Sequence, residues 1–483
     1  MKTNEAVKRQ LLSQAEEAIE GLLERMEEIQ RGDLQNLEQC ILEKILELGR
    51  RSMETVLGSE ASEEPMAVPQ EGACGHALKR AGEREKTVLT LMGPIVVKRA
   101  YYHCKEEKRA EGVPQRRCPG MIPFDEKWGL TRRQASPGVQ RVVAKLAARL
   151  TFEEAADSMA DLLPVSLSAR QVGLLLQPIG AAFAQQENEQ ASHYVCQGSE
   201  KRRSEEEQQE EQGEALRRLY VEMDGVMARL RRGSVPMERP EEERAGDVYR
   251  EIKVGAAFLG LPGRERSELV PGAVVDGCGP KAYVARQTTA EEFAPLVYAL
   301  ARQMGLLRAQ QVVILGDGAR WIWKLADEQF PRAVQIVDEY HAREHVWTVA
   351  REAFAAEPEL RDAWATHVIE LLGNGQIHQV VAAIECLPTL SPEAGKTKSV
   401  QDIEAEYFRH NAHRMQYPTF RAQGMHLGSG IAEAACKTVV STRAKKSGMR
   451  WLPHGLATVL AVRSALLSNL FDQHWLAYSQ RTS

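Results

Sequence analysis

The sequence predicts a multidomain chain of mixed α+β and α/β class. Three observations predict it. The 483 residues make roughly three domains at about 100–200 residues each. With 43 % hydrophobic and 27 % charged residues, the chain has the composition of an ordinary folded core. Helical, hairpin-forming and alternating strand–helix patterns also follow one another in separate blocks along it.

Composition excludes several classes. No run of about 18 apolar residues exists, so no membrane span is expected. The N-terminal MKTNEAVKRQLLSQ is polar and amphipathic and lacks the apolar stretch and cleavage site of a secretory signal. Eight cysteines spread over this length fit a reducing cytoplasm better than a disulfide framework. The net charge of −5 says little about nucleic acid, but its distribution does. His76–Arg149 holds 17 Lys/Arg against 7 Asp/Glu, whereas the first sixty residues and Ser199–Glu214 are acidic. A basic face hidden in a near-neutral total is the expectation.

The elements follow in order. Residues 1–58 read as helix, since Ile41, Leu42, Ile45 and Leu46 keep helical spacing and Gly58 closes the run. A small-polar and acidic linker, Ser59–Glu71, leads into a ribbon-like domain at 70–130. There Thr87–Leu91 and Ile95–Tyr102 flank Met92-Gly93-Pro94, which is a hairpin signal. Residues 135–190 read as a helix-turn-helix unit. Val139, Val142, Val143, Leu146 and Leu150 form the stripe of its first helix, and Phe152–Leu163 is the second, stopped by Pro164. Ser168 caps the third, Ala169–Leu176. Residues 197–214 are a charged, low-complexity linker.

Beyond it the pattern changes to five short β-rich runs: Leu219–Met223, Ile252–Phe258, Ala282–Val284, Val312–Leu315 and Val334–Val337. Helices are expected at Ala290–Met304 and Arg320–Phe330. The order β-β-β-α-β-α-β predicts a ribonuclease-H-like mixed sheet, whose first three strands meander and whose others cross over through helices. From Ala342 to about Met425 no strand candidate occurs. A catalytic domain at 215–345 and 427–478 is therefore expected, interrupted by an all-helical insertion at 346–426.

Asp224-Gly225 ends LYVEMDG and Asp317-Gly318 ends VVILGDG. Ligands of α/β sheets gather at the carboxyl ends of strands, and a glycine there admits a backbone or a phosphate. Glu433 lies early in a helix beginning near Ser429. Two aspartates and a helical glutamate suit two divalent ions about 3.5–4 Å apart, and oxygen ligands select Mg²⁺ or Mn²⁺. Such a site activates a water or a 3′-hydroxyl for in-line phosphoryl displacement. The competing reading of each Asp-Gly is an ordinary turn.

GDGARWIWKLADEQFPRAVQIVDEYHAREHVW and GSGIAEAACKTVVSTRAKKSGMRW resemble bacterial insertion-sequence transposases of the Kra group. YVEMDG, EIKVGAAF and LTFEEAADSMADLLPVSLSARQVG extend the likeness over most of residues 70–475. The resemblance implies a DDE transposase: metal-dependent DNA cleavage and strand transfer of an element with terminal inverted repeats. The implied triad is Asp224, Asp317 and Glu433. The implied partners are double-stranded element-end and target DNA and a second copy of the chain, with no membrane, in a bacterial cytoplasm and at its nucleoid. Asp338-Glu339-Tyr340-His341 resembles the (Cys/Asp)-x-x-His signature of such enzymes, in which His341 helps to position the scissile phosphate. The competing reading is that these side chains cap the next helix or brace the insertion. Two alternatives to the whole reading stay open: a domesticated, transposase-derived DNA-binding protein, and a nuclease that hydrolyses without joining.

Relatives in that group carry paired CxxC elements around the hairpin. Here Cys74, Cys104 and Cys118 stand isolated, with Lys105, Glu106 and Glu107 where a partner of Cys104 would follow. With His76 or His103 they still make four ligands on paper, but a ribbon that has lost its zinc is the expectation. DNA contacts are expected from Arg170 and Gln171 at the start of the third helix. A phosphate surface is expected from Lys98, Arg99, Lys105, Lys108, Arg109, Arg116 and Arg117. After Glu433 come Lys437, Arg443, Lys445, Lys446 and Arg450, and Lys437 either meets a phosphate or pairs with Glu433. Trp321, Trp323 and Trp451 are read as packing residues rather than base-stacking ones. For dimerisation, the N-terminal helix offers Leu34, Leu37, Ile41, Ile45 and Leu46. The competing reading packs that helix on its own hairpin.

Overall fold

The computed structural model describes residues 5–28, 33–62, 77–104, 120–130, 134–197, 216–231, 248–266, 274–388, 390 and 397–482. Cys74, His76, Lys105, Lys108, Arg109, Arg116, Arg117 and Cys118, like the side chain of Cys104, lie outside the described residues, and so do residues 198–214 of the expected linker. No helix among the described residues is long and apolar enough to cross a membrane. The chain forms two compact units, residues 1–176 with 475–483, and residues 177–474.

In the first unit the N-terminal stretch is two helices, α1 (Glu5–Glu28) and α2 (Leu34–Ser62). Asp33 opens α2, accepting the Asn36 amide at 3.1 Å. The helices are antiparallel: Gln14 donates to Thr55, Arg51 pairs with Glu17 and Arg25 with Glu43. Gly58 does not close the helix as expected. The first of the hairpin strands is β1 (Leu78–Thr90), the second β2 (Gly93–Cys104), and both run longer than their apolar cores. The turn is Leu91-Met92, with Thr90 opposite Gly93. Gly93 sits at φ 104°, a conformation glycine adopts without cost. Leu57 of α2 is buried with Val88, Ile95, Val97, Phe124 and Leu130. The C-terminal half of α2 thus packs on its own ribbon, as the competing reading held.

A short helix α3 (Pro123–Lys127) follows, then α4 (Pro137–Ala147), α5 (Phe152–Leu162) and α6 (Ala169–Gln197). The starts of α4, α5 and α6 are capped. Ser136 accepts from Val139 with Pro137 in the first turn, and Thr151 and Glu154 form a capping box. Ser168 and Gln171 exchange the same pair of bonds. Helix α6 runs on through Pro178 because its apolar spacing continues: Val172, Leu176, Ile179 and Phe183 are all buried.

The second unit is built on a five-stranded mixed sheet in the order β5-β4-β3-β6-β7. The strands are β3 (Leu216–Leu230), β4 (Val248–Arg266), β5 (Val274–Arg286), β6 (Ala309–Gly316) and β7 (Val334–Val337). β3, β4 and β5 pair antiparallel, whereas β6 pairs parallel with β3 and β7 parallel with β6. Helix α7 (Ala290–Gln303) joins β5 to β6, and α8 (Arg320–Gln329) joins β6 to β7. Phe293 and Val297 of α7 and Ile322 of α8 cover Val221, Phe258 and Ile314 in one core. Five helices follow: α9 (Glu339–Ala353), α10 (Pro358–Gly373), α11 (Ile377–Glu385), α12 (Val400–Asn411) and α13 (Tyr417–Ala422). Among the described residues no strand interrupts them. The chain ends with α14 (Gly430–Ala435), a π-helical turn (Cys436–Ser441), α15 (Pro453–Leu467) and α16 (Phe471–Thr482). The strand order expected from sequence is observed; the strand lengths are not.

Candidate active site

Asp224 and Asp317 come together because of strand register. β3 and β6 pair in parallel with Glu222 opposite Leu315, so two residues on, Asp224 stands level with Asp317. The turn expected at Asp224-Gly225 is absent. β3 continues against β4, with Asp224 opposite Val254 and Gly225 opposite Lys253. β6 ends at Gly316, which opens the β6 side of β3 just where Asp224 sits. Asp317 does lie past a strand end, and its Oδ1 accepts the Ala319 amide at 2.8 Å. Gly318 has φ 101°, and a Cβ there would run into the Tyr407 ring. Only glycine fits that close turn.

Burial lifts the Asp224 carboxyl above its ordinary range. The Asp317 charge adds to this, against the Gly225 amide, the Cys436 thiol and His341. A like charge and a partly desolvated carboxyl are what a cation would offset. Cys436, the first residue of the π-helical turn, donates its thiol to Asp224, and burial raises its own pKa, with Asp224 and then Glu433 adding. Glu433 itself is exposed on α14. Asp224 and Asp317 thus stand side by side at one end of the β3–β6 pair, and Glu433 lies near Cys436, which borders Asp224. Among the described residues no three His, Cys, Asp or Glu side chains close on a common point. The donor chemistry, oxygen from carboxylates only, fits Mg²⁺ or Mn²⁺ and not zinc.

Three anchors place these groups, and two of them, Glu222 and Tyr407, were missed from the sequence. Glu222, buried on β3 two residues before Asp224, accepts the Ala432 amide of α14 at 2.7 Å. Burial pushes its carboxyl up to about 8. Its signal was a charge inside the apolar run LYVEM, on the same face of the strand as Asp224. Asp338 accepts the Tyr340 and His341 amides through Oδ1, and the Ser429 amide and hydroxyl through Oδ2. It therefore caps α9 and ties it to the start of α14, as the bracing reading held. His341 is exposed on α9, and its field lowers the pKa of Asp224, so it borders the site. The third anchor is on α12. The Tyr407 hydroxyl donates to the Asp317 carbonyl at 3.0 Å. Its ring stacks on His345 at 3.8 Å, and His345 Nδ1 lies 2.6 Å from Glu404. His345, given no role from sequence, is thus part of the support of Asp317.

The expected basic contacts divide. Lys437 and Lys445 are exposed, and Lys445 lies near enough to Cys436 to lower its pKa. Lys446 is partly exposed and Arg450 exposed. Arg443 is corrected: it is fully buried, over the Trp451 ring at 5.1 Å, with Nη1 on the Met449 sulfur. Its flanking residues Val440 and Ala444 are core residues, so the helix turns the guanidinium inward. Arg99 is corrected likewise. It is buried and forms a two-bond pair with Asp125 at 2.7 and 2.6 Å. Lys98 is exposed and faces Glu85 at 3.5 Å. Arg170 and Gln171 are exposed, although Gln171 is engaged in the cap with Ser168. Trp323 and Trp451 are packed, and Trp321 carries Lys253 over its ring at 4.1 Å.

Residues 292–471 match the model of an uncharacterised protein family, UPF0236. That span holds Asp317, His341 and Glu433 but not Asp224. No curated protein matches the chain.

Proposed function

We propose that the chain is a DDE transposase, cleaving the ends of an insertion sequence and joining them to target DNA by metal-dependent phosphoryl transfer. The observation that carries this reading is Asp224 level with Asp317 at one end of the β3–β6 pair, with Glu433 near Cys436, which borders Asp224. The strand order, three antiparallel strands and then two parallel ones reached through helices, supports a ribonuclease-H-like catalytic domain. The five helices from Glu339 to Ala422 then read as its helical insertion. The sequence likeness to Kra-group transposases supports the same conclusion.

Asp224, Asp317 and Glu433 would hold two Mg²⁺ or Mn²⁺ ions, which supply a nucleophile at neutral pH and offset charge on the leaving oxygen. The chain's own residues do the rest. Gly318 keeps the Asp317 turn tight enough for a strand to approach. His341 borders Asp224 and donates to a non-bridging phosphate oxygen. Lys437 and Lys445 hold the strand next to the cut. Double-stranded DNA is positioned by Lys98 and by Arg170 at the start of α6, whose N-terminus enters the major groove.

The test is cleavage of a DNA duplex bearing the inverted-repeat ends that flank the coding region. Cleavage is expected with Mg²⁺ or Mn²⁺ and not with Ca²⁺ or EDTA. Asp224→Asn, Asp317→Asn and Glu433→Gln should each abolish it and leave DNA binding within a few-fold. Robust activity in one variant removes that residue from the triad, and wild-type protein inert on every metal refutes the reading.

A further inference from the structure

The π-helical turn Cys436–Ser441 lies between Glu433 and the basic residues that follow it. Such turns are rare inside helices and cluster at functional sites. This one closes a residue late. The Thr442 amide, which an α-helix would aim at the Thr438 carbonyl, bonds the Lys437 carbonyl instead. The Thr438 carbonyl so released is met from another helix. Arg463 of α15 donates its Nε to that oxygen at 2.8 Å and an Nη2 hydrogen as well. The same Nη2 reaches the Thr442 hydroxyl at 2.8 Å, and that hydroxyl donates to the Thr438 carbonyl at 3.0 Å. Arg463 is buried, and a buried charge is costly unless it is hydrogen-bonded. Here its hydrogens go to the carbonyl that the wide turn frees.

The extra residue turns everything after it back by about 100° round the helix axis. Lys445 follows Glu433 by twelve residues. At α-helical spacing it would stand about 120° round from Glu433, and with the extra residue it stands about 20° away. Arg443 would stand about 80° from Glu433, and with the extra residue it lies about 180° away, on the far side. Both consequences are observed. Arg443 is fully buried, whereas Lys445 is exposed and close enough to Cys436 to act on its thiol.

We propose that Arg463 is a positioning residue of the candidate site: by clamping Thr438 and Thr442 it holds the wide turn, and so keeps Glu433 and Lys445 on one side of the helix, beside Cys436 and Asp224. The inference rests on the reading of Asp224, Asp317 and Glu433 as metal ligands. Arg463 acts through the backbone that it fixes, not by touching metal or DNA. A lysine is a poor substitute, because one ammonium replaces the planar fork that spans both oxygens.

The test is Mn²⁺ binding to the full chain, read from the electron paramagnetic resonance of the free ion, beside the alkylation rate of Cys436 mapped by peptide mass spectrometry. Neither readout needs DNA or cleavage. Wild type is expected to bind Mn²⁺, and Asp224→Asn to abolish that binding. Arg463→Met, folded by far-UV circular dichroism, should weaken it about tenfold or more. Cys436 is buried in wild type, and the same variant should speed its alkylation about tenfold or more as the turn opens. Arg463→Lys should fall between the two. Thr442→Val removes one partner of the clamp while Arg463 stays, and it should move both readouts the same way, which keeps the test open where Arg463→Met does not fold. Unchanged Mn²⁺ affinity in a folded variant, beside a wild type whose binding needs Asp224, overturns the positioning role alone. Weaker binding with Cys436 no more reactive overturns the clamp as its cause. A wild type that binds no Mn²⁺, or binds it equally as Asp224→Asn, overturns the metal reading, and this proposal falls with it.

Discussion

Glu222 Oε2 accepts the Ala432 amide at 2.7 Å, which ties the strand bearing Asp224 to the helix bearing Glu433. The first amides of a helix lack intrahelical partners, and here a buried carboxyl from the sheet supplies one. With its pKa pushed up to about 8 by burial, the group is largely neutral near pH 7. Glu222→Gln keeps a neutral acceptor of the same shape and is expected to stay within about 1 kcal/mol of wild type. Glu222→Ala leaves a buried amide unmet and should cost about 1–3 kcal/mol. It should also lower metal-dependent cleavage about tenfold or more, because Glu433 loses its fixed distance from Asp224. Urea denaturation and cleavage rates of the two variants check this, and equal behaviour would remove the anchor role.

Neighbouring basic residues on β2 are expected to behave oppositely. Arg99 is buried in a two-bond pair with Asp125, so Arg99→Ala takes both bonds from a buried carboxylate that keeps Lys86 at 3.5 Å and should cost about 1–3 kcal/mol. Lys98 is exposed, and Lys98→Ala should change stability by less than about 0.5 kcal/mol. Under the DNA-binding reading, Lys98→Ala should also lower the log–log salt slope of duplex binding by about one. Thermal melts separate the two variants before any DNA is added. An Arg99→Ala protein as stable as wild type would return that residue to the surface.

Local pattern made much of this fold legible. The five apolar runs of the sheet, the hairpin, the cap at Ser168 and the helix start near Ser429 follow from spacing and turn chemistry between near neighbours. What stayed hidden depends on partners far away in the chain. Nothing near Asp224 says that β3 runs on past it, because the strand is extended by pairing with β4, whose residues lie some thirty positions later. Arg99 and Arg443 read as surface charges because a burying partner, Asp125 in one case and the Trp451 ring in the other, is not recognisable from spacing. The support of Asp317 joins His345, Glu404 and Tyr407 across some sixty residues. The place of Asp317 was legible, since a carboxylate beside glycine at a strand end carries its own signal, whereas Asp224 was picked for a turn that the strand does not make. The groups that hold them were not, with Glu222 the exception a reader of LYVEMDG had the means to find.

The Glu187–Arg286 pair gives a pH signature with a definite sign. Glu187 on α6 accepts from the Arg286 guanidinium at the end of β5, and its side chain is only 15 % exposed. Burial outweighs the ion pair and pushes the carboxyl up to about 6, from an ordinary 4.5. Below about pH 4.5 both folded and unfolded chains hold the proton, and this contribution to stability is fully present. Between about 4.5 and 6 the unfolded chain releases the proton while the folded chain keeps it, so stability falls as pH rises. Above about pH 6 both are ionised and the loss is complete, at about 2 kcal/mol for a shift of roughly one and a half units. Glu187→Gln cannot titrate. Relative to it, wild type should therefore lose about 2 kcal/mol between roughly pH 4 and pH 7, with no further change up to pH 8. Denaturant melts of both proteins across that range measure the difference directly. A difference that rises with pH would mean that Arg286 stabilises the carboxylate more than burial opposes it, and would reverse the assignment.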